Sequence, residues 1–163
     1  MSAQPLFSGV SRRAVLAGLV VAGSARAARA ALQIFSKSKL VIETAKGQFP
    51  FDIELALTEP QMMQGLMFRR EMAADQGMLF DYGSPQKITM WMKNTFIPLD
   101  MIFIGADGKV VDYHERAVPM SLDTIATKVP ARAVLEVNSG TVRRLGIQPG
   151  DIVHHAFFNN ALG

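Results

Sequence analysis

Along much of the chain the apolar residues recur at every second position, the period of a strand with one buried face. Phe49, Phe51, Ile53, Leu55 and Leu57 share one side, with Pro50, Asp52, Glu54 and Ala56 on the other. This predicts a half-exposed strand over 49–57, joined through Lys46-Gly47 to a strand over 40–45. Thr58 has N-cap chemistry, Pro60 falls in the first helical turn and Gly65 supplies a stop, so a short helix is expected over 59–64. Strand-like runs continue over 77–82, 88–93, 99–105, 109–116, 132–138 and 151–158. Ala106-Asp107-Gly108 is a hairpin signal, 141–145 reads as a helical turn, and Pro149-Gly150 precedes the last run. The pattern predicts a mainly β (β-rich α+β) fold: one sandwich or barrel of about seven to eight short strands with one or two short helices.

Composition narrows the class. The chain has 163 residues, 49% apolar and 19% charged, as expected for one globular domain and not for a disordered or repetitive chain. It has no cysteine, which excludes disulfides, thiolate metal sites and a cysteine nucleophile. The net charge of +3 belongs to the first thirty residues, which hold Arg12, Arg13, Arg26 and Arg29 and no acid. Beyond residue 30 there are thirteen cationic and fourteen acidic side chains, so nothing electrostatic argues for nucleic acid.

Residues 11–16 read Ser-Arg-Arg-Ala-Val-Leu and open a mild apolar run over 14–25. That run is well short of the about 20 residues needed to span a bilayer, so no membrane span is expected. The arginine pair, the Gly- and Ala-rich run and the small-residue exit predict a twin-arginine-type signal peptide over 1–30. Cleavage is expected after Ala30, leaving a linker over 31–38, a domain over 39–163 and a periplasmic location.

Three blocks carry a resemblance. The first is Gly65-Leu66-Met67-Phe68-Arg69-Arg70 with Asp75-Gln76-Gly77-Met78-Leu79-Phe80. The second is Met90-Trp91-Met92-Lys93-Asn94-Thr95 with Ile97-Pro98-Leu99-Asp100-Met101. The third is Pro130-Ala131, then Val134-Leu135-Glu136-Val137-Asn138, then Gly146-Ile147 and Gly150-Asp151. Together, over about residues 39–158, they resemble the family called domain of unknown function 192. The resemblance implies a compact β-rich fold, often exported, and brings no mechanism.

Two carboxylates interrupt apolar strands. Asp100 lies in 98–104, whose two faces are otherwise apolar, and Glu136 lies between Leu135 and Val137. A buried carboxylate without a partner protonates or is costly. Asp100 therefore calls for Lys93, Arg69, Asn94 or a row of backbone donors, with a lysine or arginine cation the expected match. Arg69, Lys93, Asn94, Asp100 and Glu136 are the candidate ligand-binding residues, read either as one polar site or as a structural ion-pair network. No Ser-His-Asp pattern, phosphate loop or histidine metal motif accompanies them, and His114, His154 and His155 are poorly spaced for zinc. No cofactor and no metal are expected, and no catalytic residue is assigned.

Methionine is abundant, with Met62, Met63, Met67, Met90, Met92 and Met101 among ten in the chain. Thioethers suit Cu(I), but beside Trp and Phe they read first as core filler. The expected function is a non-enzymatic envelope module that binds a small ligand or another protein near Lys93, Asn94 and Asp100. The alternatives are a hydrolase using Asp100 or Glu136 as general base, and a methionine-based Cu(I) carrier.

Overall fold

A computed structural model describes residues 32–162. The expected leader and its cleavage site lie outside the described residues. Among the described residues nine strands and two short helices follow in the order β1 Ser36–Thr44, β2 Gly47–Ala56, α1 Glu59–Gln64, β3 Gln76–Gln86, β4 Thr89–Met90, β5 Leu99–Ile104, β6 Val110–Ala117, β7 Ile125–Ala126, β8 Ala131–Asn138, α2 Thr141–Leu145 and β9 Ile152–His154. Seven strands form one sheet in the order β6-β5-β8-β3-β2-β1-β9, and β4 pairs with β7 in a separate ribbon. The fold is mainly β, as the period-two pattern predicts.

The sheet curls into a half-barrel. Its edges approach each other where Val110 donates to the Asp151 carbonyl at 2.8 Å and Val153 donates to the Gly108 carbonyl at 2.8 Å. Curling separates two cores. One face carries Ile42, Phe51, Ile53, Leu79, Ile102, Leu135 and Val137, with Val142 and Leu145 of α2 packed on it. The opposite face carries Met78, Phe80, Leu99, Met101, Phe103 and Val134, covered by Leu66, Ile88, Met92 and Ile97. Because side chains alternate along a strand, neighbours in sequence feed different cores. Ala56, on the side of β2 read as open, is fully buried in the second core.

Three segments differ from the pattern's prediction. β1 begins at Ser36, within the stretch read as linker. The run over 88–93 is a strand only at Thr89–Met90, after which the chain turns through Asn94 at φ +54°. The run over 151–158 stops at His154, because Asn160 takes over strand-like bonding, accepting from the His155 N–H at 3.0 Å and donating to the Val153 carbonyl at 3.2 Å. A single 3-10 turn, Ala156–Phe158, follows.

Candidate functional site

Register places the two strand carboxylates on opposite faces of the sheet. On β5 and β8, Asp100 is opposite Val137 and Met101 is opposite Glu136. Cross-strand partners share a face, so Asp100 points with Val137 and Glu136 with Met101. The single polar cluster expected from the sequence therefore does not form.

Asp100 is fully buried and is held by backbone donors, not by the lysine or arginine expected. Its Oδ1 accepts from the Arg116 N–H and its Oδ2 from the Val142 N–H, both at 2.9 Å. Val142 is the second residue of α2, whose N-cap is Gly140 with no side chain to cap the helix. Asp100 serves that helix as its cap from a neighbouring strand, satisfying an N–H that would otherwise be orphaned. It also fixes Arg116, which stands at φ +57°.

The expected cations are engaged elsewhere. Arg69 forms an ion pair with Glu54 of β2 and lies 5.8 Å from the ring centre of Phe35. It borders a small cleft of about 60 Å³ with Asp52 and Met72. Lys93 sits 5.1 Å from the ring centre of Trp91. The Asn94 carbonyl accepts from the Phe68 N–H at 2.9 Å, and its amide faces the Met67 sulfur at 3.8 Å. These contacts knit loops together around the second core.

Of the five candidates, Glu136 alone lines the large cavity, a space of about 510 Å³ on the second face. Its volume falls in the range of small-molecule sites. The helix α1 forms one wall. Thr58 caps it through a reciprocal capping box with Gln61, yet none of its residues is buried. It stands off the sheet and leaves space beneath. Gly65 ends it at φ +48°, and a Cβ there would meet the Phe80 ring at 3.0 Å, so only glycine lets the helix end approach the sheet this closely. Met62, Met63, Met67, Met90, Phe80, Tyr82 and Trp91 supply most of the apolar wall. Met92 and Met101 are instead fully buried core.

Glu136 sits in register between Met78 of β3 and Met101 of β5 and is 4% exposed. Burial pushes its pKa up to about 8; among the described residues no hydrogen bond or cation offsets it. Burial thus favours the neutral, protonated carboxyl. Tyr82 is pushed up as well, first by burial and then by the charge of Glu136. Its hydroxyl reaches the Met90 sulfur at 3.5 Å. Of the apolar lining residues, Met63 and Trp91 are each at least two-fifths exposed. Phe68, which follows the lining residue Met67, has positive φ, a conformation that bulky side chains rarely adopt.

The histidines do not share a site. The His154 Nε2 bonds Glu43 at 2.8 Å, an interaction that also lowers the Glu43 pKa. His155 lies 3.0 Å from the Ser38 hydroxyl, which resembles a catalytic dyad. Its Nδ1, however, accepts the Phe157 N–H at 3.2 Å, so in the neutral ring Nε2 carries the proton and cannot take one from Ser38.

The cavity residues were partly legible. The methionines stood out by number, and Glu136 by its apolar neighbours. That they meet was not, since the meeting depends on α1 standing clear of the sheet.

Residues 41–155 of the chain match DUF192, a family described as an uncharacterized ACR. No curated protein matches the chain. The chain is similar to solved crystal structures, two of which follow. One, of a "putative transcription regulator" from Sinorhizobium meliloti, is 46% identical, with a TM-score of 0.75 over 78% of this chain and 99% of that one. The other, of a protein of unknown function from Novosphingobium aromaticivorans, is 40% identical, with a TM-score of 0.71 over 73% of this chain and 85% of that one.

Proposed function

We propose that this chain, which belongs to the DUF192 family, is a non-enzymatic binding module of the cell envelope that holds a small, largely apolar ligand in the cavity above Glu136. The observation that carries the reading is an open, apolar space with one unpaired, buried carboxyl. Apolar walls with few polar groups are the usual make-up of ligand sites, and methionine walls adapt to irregular shapes. The arginine pair and small-residue exit of residues 1–30 support export and a periplasmic location.

The site suits binding better than hydrolysis. A general base must be ionised at working pH and must reach its substrate's proton. Burial favours the protonated form of Glu136 at neutral pH, and among the described residues no cation lines the cavity to stabilise an oxyanion. Asp100 is fully buried with both oxygens occupied. The transcription-regulator description belongs to the Sinorhizobium protein; here the domain beyond residue 30 has a slight excess of acid, which gives a polyanion no electrostatic footing.

The test is titration with Nile red, a neutral apolar dye. One molecule should bind per chain, and Thr89→Trp, which adds bulk at an exposed position lining the cavity, should abolish binding without unfolding the protein. Unchanged dye binding in Thr89→Trp would remove the cavity from the account.

A further inference from the structure

The cavity's polar groups indicate which apolar ligands it takes. Its charged lining residues are both acids: Glu136 inside and Glu59 on α1. Among the described residues no lysine, arginine or histidine lines it; Lys93 rests on the Trp91 ring and is not part of the wall. Phe80, Tyr82 and Trp91 line it together with four methionines, and an aromatic ring attracts a cation that meets its face. Glu136 is held between two methionines and has no partner of its own. A carboxyl left unpaired in apolar surroundings is a demand for a cation that the protein does not supply.

Resting on the cavity reading above, we infer that the ligand is an apolar molecule carrying a protonated amine, seated with its nitrogen on the Glu136 carboxylate. Binding then proceeds with an explicit proton balance. The ammonium enters with its own proton, the Glu136 carboxyl releases one to solvent, and the two charges pair between largely apolar walls. Burial disfavours a lone charge but not a matched, well-seated pair. The other titratable groups sharing the cavity are Tyr82 of β3 and Glu59 of α1. From β5 only Met101 is paired beside Glu136, and from β3 Met78. None of these supplies a positive charge to compete.

The experiment compares phenylbutylamine, phenylbutanol and phenylbutyrate, which share one apolar body and differ in the head group. Trp91 is the one tryptophan in the sequence and lines the cavity, so its fluorescence reports occupancy. The amine should bind best at pH 8, lose affinity by about tenfold per pH unit below that, and release protons, seen as a buffer-dependent binding enthalpy. The alcohol should bind without pH dependence and the acid most weakly. Glu136→Gln should remove the amine's pH dependence and its advantage over the alcohol. If the alcohol binds as well as the amine at pH 8, or the Gln variant keeps the preference, the amine inference is overturned while the cavity reading stands. If none of the three shifts Trp91 fluorescence, both fall.

Discussion

Replacing Glu136 by glutamine should stabilise the protein, and by an amount that grows with pH. Glutamine keeps the shape of the side chain but does not titrate. In the folded chain the Glu136 carboxyl has a pKa raised from 4.5 to about 8 by burial. Between those values the folded protein holds a proton that the unfolded chain has released, so unfolding becomes easier as pH rises. The stability tied to this group is complete below about pH 4.5, falls by about 1.4 kcal/mol per unit through the window, and levels off above about 8. Between pH 5 and pH 8 the wild type should therefore lose about 3–4 kcal/mol relative to Glu136→Gln. Contributions from other groups, such as the buried His155, occur in both proteins and cancel in the difference. Urea midpoints for the two proteins at half-unit pH steps, with unchanged slopes, give that difference directly. A difference that stays flat from pH 5 to pH 8 would show that Glu136 already has a partner and would refute the reasoning.

Three further outcomes follow from particular contacts. Asp100→Asn should lower stability by about 2–3 kcal/mol in denaturant, because one amide oxygen cannot accept both the Arg116 and the Val142 N–H; a neutral result contradicts its role as the cap of α2. Gly77→Ala should cost more than about 2 kcal/mol, since the new Cβ would sit 2.7 Å from the Glu136 carbonyl oxygen and force β3 and β8 apart. Replacing Arg12 and Arg13 together by lysine should leave precursor in the cytoplasm, measured by fractionation, since lysine keeps the charge but not the guanidinium geometry; normal export of that variant contradicts the twin-arginine reading.

The strands were legible because period two is a local property. The helix over 59–64 was legible for the same reason: its capping box and glycine stop are written within eight residues. The polar site was not. Asp100 and Glu136 each looked like a carboxylate in need of a cation, but which face each occupies depends on register between β5 and β8, which no local pattern encodes. The identity of Asp100's partners was equally hidden, because backbone N–H groups leave no trace in composition. Gly140 was the available clue: a helix starting after glycine must find its cap elsewhere. The methionines divided between core and cavity by tertiary packing, which no local pattern encodes. Arg69 stood out as a cation near the conspicuous blocks, and its actual partner, Glu54, lay in plain view on the polar side of β2.

The ligand reading rests on Glu136 as a buried carboxyl, without a partner among the described residues, whose burial favours the protonated form. Carbon-13 NMR of the glutamate carboxyl carbons, assigned with Glu136→Gln and followed from acid to alkaline pH, tests it most directly. The midpoint for Glu136 should lie near 8 in the free protein and fall by more than about one unit when phenylbutylamine is present. A midpoint near 4.5 without ligand, or one that the amine leaves unmoved, contradicts it.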